Sequence, residues 1–390
     1  MHRISLTALQ SGLTTLPPLS LYIHFPWCVR KCPYCDFNSH AQKGALPEAA
    51  YVEALLRDLE SCLPLVWGRP VSTIFMGGGT PSLFSAEAID TLLAGIRARV
   101  RLLPEAEITL EANPGTFEAD KFAGYRAAGI NRLSIGIQSF DDAKLAALGR
   151  IHGRAEALRA VEIAHRHFDN FNLDLMYALP QQTLAEALAD LDQAIALAPT
   201  HLSAYHLTLE PNTLFHRYPP PLPDDDLAAD MQEAIEARLA AAGYQHYETS
   251  AFAQPGRRAR HNLNYWQFGD YLGIGAGAHA KISFPDRIIR QTRYKQPAEY
   301  LARIAQGNAV QSDAPIARDQ LPFEFMLNAL RLCDGFPLPL FTERTGLPLT
   351  QVIRQIERAC DEGLLTRSLD HVHPTPRGRR FLNTLLERFL

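Results

Sequence analysis

Leu21-Tyr22-Ile23-His24-Phe25-Pro26-Trp27-Cys28-Val29-Arg30-Lys31-Cys32-Pro33-Tyr34-Cys35 is the stretch from which the rest of the chain can be read. It opens on a short apolar run of the kind that forms a buried strand, then passes directly into three cysteines at C-x3-C-x2-C spacing. Only six cysteines occur in 390 residues, so three gathered this closely are metal ligands rather than disulfide partners. Most iron–sulfur clusters take four cysteines. Three thiolates would leave one iron of a 4Fe–4S cube open to bind and activate something else. A structural zinc site completed by His24 or His40 is the competing reading. Zinc knuckles usually come in pairs, however, and no second C-x2-C is present. Cys62, Cys333 and Cys360 stand apart and read as buried small hydrophobes.

Outward from this stretch the chain alternates strand and helix. Six short apolar or β-branched runs read as buried parallel strands: Leu21–Phe25, Val71–Met76, Glu107–Glu111, Arg132–Ile137, Phe171–Met176 and His201–Thr208. Helical patterns follow them at Pro47–Cys62, Ser85–Val100, Phe117–Ala128, Arg154–His167, Thr183–Ala198 and Asp224–Ala242. Repeated βα units imply a parallel α/β sheet. Six of them predict a partial (β/α)6 barrel, with an open doubly wound sheet as the alternative. The rhythm changes after Gly243, where Gly and aromatic residues accumulate and strand-like pieces appear near Tyr244–Phe252 and Ala278–Ser283. Residues 319–390 read as a small helical module with winged-helix order. Its helices are expected near Pro322–Leu332, Pro337–Thr345, Leu349–Glu362 and Arg377–Phe389, and its wing at Leu364–His373. The domain reading is therefore 1–243, 244–318 and 319–390.

Composition narrows the function classes. Hydrophobic residues make up 47% and charged residues 21%, with a net charge of −4. These values suit a soluble chain with a large core and exclude the basic surplus of a nucleic-acid binder. The first twenty residues lack the apolar core of a signal peptide. No run approaches the ~18 apolar residues of a membrane span. With so few cysteines, a reducing cytoplasm is the expected location.

The unusual polar residues fall at the carboxyl ends of the predicted strands, the rim where parallel barrels carry their active sites. The cysteine loop follows the first strand, Gly77-Gly78-Gly79-Thr80-Pro81 the second, and Glu111-Ala112-Asn113-Pro114 the third. Gly136-Ile137-Gln138-Ser139 ends the fourth, and Asp174 lies in the fifth. The glycines permit close approach of a ligand and are expected to leave N–H groups free for a carboxylate, with a tight strand-to-helix turn as the competing reading. Gln138 and Asp174 interrupt apolar runs, at a cost of about 2 kcal/mol or more unless they are hydrogen-bonded. Arg150, in Leu148-Gly149-Arg150-Ile151-His152, is a candidate partner for a ligand carboxylate, or equally a helix-end cation.

Together these segments resemble a known family. C-x3-C-x2-C with Tyr34 before the third cysteine is similar to the signature of the radical S-adenosylmethionine (SAM) superfamily. Gly77–Pro81, Glu111–Pro114, Leu133–Phe140 and Asn172–Pro180 resemble its oxygen-independent coproporphyrinogen III dehydrogenase family. The resemblance covers most of the chain. It implies a partial barrel with a helical C-terminal domain, and a 4Fe–4S cluster on Cys28, Cys32 and Cys35. It also implies SAM held by positions matching Tyr22, Tyr34, Gly78, Gly79, Thr80, Glu111, Gln138, Arg150 and Asp174. One position departs from the pattern. The dehydrogenases carry a further cysteine two residues after the third, and here it is Phe37.

His261-Asn262-Leu263-Asn264-Tyr265-Trp266 resembles the H-N-x-x-Y-W element of the heme-chaperone branch of that family. The resemblance implies heme as cargo; a histidine such as His261 can ligate heme iron and Tyr265 and Trp266 can pack on a porphyrin face, with an aromatic anchor around a satisfied core histidine as the competing reading. Arg257, Arg258 and Arg260 are placed to pair with propionates. The implied partners are heme and a heme-acceptor protein. A peripheral encounter with a membrane during delivery stays open, and nucleic acid is not expected. The enzyme alternative is oxidative decarboxylation of coproporphyrinogen III, against which Phe37 and the H-N-x-x-Y-W element both count. A zinc-stabilised barrel without SAM is the structural alternative.

Overall fold

The computed structural model describes residues 12–116 and 119–390. Residues 1–11 and the first two positions of the helix predicted from Phe117 lie outside the described residues. All six predicted parallel strands form: β1 (Leu19–Phe25), β2 (Val71–Gly78), β3 (Leu102–Ala112), β4 (Arg132–Gln138), β5 (Phe171–Tyr177) and β6 (His201–His206). They pair in sequence order, each parallel to the next. β1 is buried along its length except at Tyr22, as befits a strand covered on both faces.

The helices between them are α1 (Glu48–Val66), α2 (Ala86–Arg99), α3 (Ala119–Ala128), α4 (Asp142–Ala147), α5 (Arg154–His167), α6 (Leu184–Ala196), α7 (Leu214–Arg217) and α8 (Asp225–Ala241). Their starts are set by side chains that satisfy otherwise unpaired N–H groups. Ser85 accepts from Ala88 N at α2, Thr183 and Glu186 form a capping box at α6, and Asp224 accepts from Leu227 N at α8.

The six strands do not close on themselves. They are the centre of a twelve-stranded mixed sheet whose two flanks come from residues beyond 243. β7 (Gln245–Glu248) and β8 (Ala251–Ala253) add antiparallel strands beside β6. After α9 (Arg260–Trp266), β9 (Asp270–Ile274) returns to the opposite side and pairs in parallel with β1, Tyr22 opposite Gly273. β10 (His279–Ser283), β11 (Ile288–Arg293) and β12 (Val310–Pro315) follow as an antiparallel meander. β9 escapes the sequence reading because Asp-Tyr-Leu-Gly-Ile is short and ends in glycine-rich turns. β11 and β12 carry too many polar residues to show an apolar period.

Residues 321–390 form the expected winged-helix-like module with its own apolar core, which includes Phe325, Phe336, Phe341, Ile356 and Val372. Its wing gains a third strand, Phe336–Pro337. The predicted helix at Leu349–Glu362 is split into a 3-10 turn and a helix from Ile353 to Asp361.

One buried carboxylate joins the β9–β12 flank to the barrel. Asp58 of α1 accepts from Arg293 Nε at 2.9 Å, Gly275 N at 3.1 Å and Tyr300 Oη at 2.9 Å. Asp58 and Arg293 are both fully buried. Removing one partner of a buried pair strands the other charge, a loss of about 3–5 kcal/mol. Asp58→Ala should therefore lower the chemical-denaturation midpoint sharply. Arg238→Ala, which breaks a half-exposed pair with Asp192, should cost less than about 1 kcal/mol. Equal midpoint shifts in the two variants would refute this assignment of the clamp.

Candidate functional site

Strand ends β1 to β6 and the loops after them enclose a cavity of about 490 Å³, whose lining includes Cys28, Cys32, Tyr34, Cys35, Gly78, Gly79, Thr80, Glu111, Gln138, Arg150 and Asp174. Every predicted SAM position except Tyr22 is therefore on one wall system with the three cysteines. The thiols are free, and burial raises those of Cys28 and Cys35 above the ordinary range. Arg150 lies beside them, with Nη1 3.7 Å from Cys32 Sγ and Nη2 2.9 Å from both Asn113 Oδ1 and Gly136 O. A cation here suits sulfurs that must bind metal as thiolates.

The acids opposite are desolvated. Burial, the nearby Asp174 and only one opposing hydrogen bond, from Gly78 N at 3.1 Å, push Glu111 up to about 8. Burial also raises Asp174, against hydrogen bonds from Ser134 and Asn172. Two protonatable acids at the wall favour a cationic guest, which would restore their charge. Gln138 sits at a backbone φ of 62°, unusual for a residue other than glycine, and its buried Oε1 has no partner. Arg150 Nε is likewise buried and unpartnered. Strain and orphaned polar atoms aimed at a cavity mark a ligand site. These features fit a 4Fe–4S cluster with SAM, a molecule carrying a sulfonium, an ammonium and a carboxylate.

The glycine loop acts differently from the sequence expectation. Its N–H groups are consumed: Gly78 N on Glu111, Gly79 N on Phe25 O at 2.7 Å and Thr80 N on Trp27 O at 2.7 Å. It offers no carboxylate nest. Glycine is required for close packing instead. A Cβ on Gly79 would meet Trp27 O at 2.5 Å, and Gly78 combines φ +108° with a His24 ring at 2.3 Å.

A second cavity of about 710 Å³ shares Asp36, Phe37, Ser39, Gly78 and Glu111 with the first and lies between the barrel and the β9–β12 flank. Tyr22 lines this cavity, not the first. Tyr265 and Trp266 reach it from α9. His261, one turn before Tyr265, does not, and it is 1% exposed. Its Nδ1 is 2.7 Å from Thr73 Oγ1 and its Nε2 2.9 Å from Tyr265 Oη, and burial lowers its pKa to about 3. Both ring nitrogens are used, so the expected iron-ligand role for His261 is withdrawn. It is the prop that aims Tyr265.

The arginine expectation is corrected as well. None of Arg257, Arg258 and Arg260 lines either cavity. Arg258 pairs with Asp334, and Arg260 bonds Glu105 O. Lys31 and Lys295 line the second cavity in their place.

The zinc alternative loses its histidines. His24 is held by Tyr22 Oη at 3.0 Å and Asn38 O at 2.8 Å, and His40 Nε2 by Asn38 Oδ1 at 3.3 Å. Among the described residues no three His, Cys, Asp or Glu side chains converge on a single-ion position. Sequence reasoning missed Ser134, Met176 and Tyr205 on the first cavity and His279 and Lys295 on the second. Ser134 and Met176 lie inside the Leu133–Phe140 and Asn172–Pro180 segments but were not singled out there, and Tyr205, His279 and Lys295 belong to no quoted motif, so the fold assembles them.

A radical SAM superfamily profile matches residues 22–194, and a HemN C-terminal domain profile matches residues 316–381. The chain is 54% identical over 380 residues to the heme chaperone HemW of Escherichia coli, covering 97% of this chain and 100% of that one. It is 36% identical over 390 residues to HemW of Mycobacterium tuberculosis, covering 97% of each. Among solved structures, coproporphyrinogen III oxidase (HemN) from Escherichia coli superposes with a TM-score of 0.81 at 24% identity, covering 96% of this chain and 90% of that one.

Glu111 supplies a test on the ligand-free protein. Its folded-state pKa is raised from 4.5 to about 8, so the folded chain keeps the proton longer than the unfolded one. Its contribution to stability is complete below about pH 4.5 and is lost as pH rises toward 8. Glu111→Gln should flatten the fall in stability across that window. A variant with the wild-type slope would show that Glu111 is ionised throughout.

Proposed function

The chain belongs to the HemW family within the radical SAM superfamily, and from that premise we propose that it is a heme chaperone, binding heme and passing it to an acceptor protein. The observation that carries this reading is the second cavity, where Tyr265 and Trp266 of H-N-x-x-Y-W face a space sharing a wall with the cysteine cavity. Aromatic faces and flanking lysines suit a flat macrocycle with two carboxylates. Phe37 stands on that shared wall with a side chain 60% exposed. It supplies no thiol where the dehydrogenases have one, so decarboxylation is not the expected activity.

In this reading Cys28, Cys32 and Cys35 hold a 4Fe–4S cluster, and Glu111, Gln138, Arg150 and Asp174 hold SAM. The cluster supplies a one-electron reductant to SAM. The chain's own residues do the positioning. Arg150 offsets thiolate charge near Cys32. Glu111 and Asp174 attract a cation, and Gln138 offers an unpaired acceptor. Among the described residues no helix is long and apolar enough to cross a membrane. We place the protein in the cytoplasm, with any membrane encounter peripheral.

Four measurements test this. Changing Cys28, Cys32 and Cys35 together to Ala should abolish the visible absorbance of the anaerobically reconstituted cluster, and a normal spectrum would overturn the ligand set. Asp174→Ala should weaken SAM binding by about 1–3 kcal/mol in calorimetry, the cost of stranding buried polar partners. Heme should bind stoichiometrically with a shifted Soret band. Coproporphyrinogen III with SAM and reductant should yield no CO2, and efficient turnover would move the protein to the decarboxylases.

A further inference from the structure

We propose that His279 is the protein ligand to the iron of heme held in the cavity walled by Phe37, Tyr265 and Trp266. This deepens the heme-chaperone reading and rests on it. Removing His261 as a ligand leaves that cavity in need of another donor, and three histidines line it: His24, His40 and His279.

Two of the three are committed. His24 uses both ring nitrogens, on Tyr22 Oη and Asn38 O. His40 is engaged by Asn38 Oδ1 and by the backbone of Lys295. The His279 side chain has no hydrogen-bond partner among the described residues and is exposed at the first position of β10, on the cavity wall. Two tyrosine hydroxyls there are also held, Tyr265 Oη by His261 and Tyr271 Oη by Arg290 at 3.1 Å.

Iron takes the neutral imidazole, whose lone pair must be free. His279 meets that condition near neutral pH, because burial and the nearby Lys295 and Arg290 lower its pKa below the ordinary value. Its backbone is fixed by pairing with Thr292 of β11. Lys295 lines the same cavity, an amine available to a propionate. A single ligand from an exposed position would leave the other face of the iron open to a ligand from an acceptor, as transfer requires.

The test uses the full chain titrated with hemin, read by Soret absorbance and electron paramagnetic resonance. His279→Ala should lose the wild-type axial-ligand signature and bind at least tenfold more weakly. Added imidazole should restore the signature. His279→Met should convert the signature to that of a thioether ligand. His261→Ala should weaken binding while keeping the wild-type signature, since it only releases Tyr265. Circular dichroism and cluster content check that each variant is folded. If wild type binds hemin and His279→Ala matches it in affinity and signature, the ligand assignment falls and the chaperone reading stands. If wild type binds no hemin at micromolar concentration, both fall.

Discussion

The site depends on how one carboxylate is shared. Asp58 takes hydrogen bonds from Arg293, Tyr300 and the backbone of Gly275. Beside it, Tyr51 Oη donates to His24 O at 2.7 Å and accepts from Ala276 N at 3.0 Å. The turn after β9 is thereby tied to the end of β1, immediately before the cysteine loop. A buried ion pair is rarely a net source of stability, because desolvation offsets its attraction. Its value here is positional. An apolar contact could slide, whereas three donors converging on one carboxylate fix the distance between barrel and flank. The second cavity exists in that fixed gap.

The same economy of charge shapes the first cavity. Glu111 is buried without a cation of its own and Asp174 has only the field of Arg132, while Arg150 lies on the cysteine side. A satisfied site would have paired the acids with a nearby base. Leaving them raised and underpaired stores an electrostatic deficit that a cationic guest relieves. The strained Gln138 backbone and its orphaned Oε1 belong to the same pattern. Local rules are broken where a ligand is expected to repair them.

The central six strands were legible because buried parallel strands need continuous apolar runs, and each run here is punctuated by a polar strand end. The cavity rim was legible for the same reason: Gln138 and Asp174 stand out against apolar neighbours. The flank was not. β9 is five residues ending in glycine-rich turns, and β11 and β12 are half polar. Their place in the sheet is decided by Asp58 and Asp270, which act across long sequence separations. Asp270, on β9, binds Lys281 and Arg69. His261 shows the limit of motif reading. The hexamer is conspicuous, but helical spacing puts His261 and Asn264 on the face toward β1 and β2, and only then do Tyr265 and Trp266 reach the cavity.

The two cavities are coupled by what they share. Gly78 belongs to both walls, and its N–H holds the carboxylate of Glu111, which also faces both. Tyr22, stacked on Phe75 with its hydroxyl on His24, lies near enough for Glu111 to raise its pKa further, beyond the effect of burial. Any guest that changes the charge of Glu111 therefore changes the field at Tyr22 and along the second cavity. A cation bound on the cysteine side would draw Glu111 to its anionic form, and the Gly78 hydrogen bond would strengthen with it. Such coupling needs no moving domain. A buried carboxylate shared between two cavities is enough, because at low dielectric a unit of charge is felt across the wall.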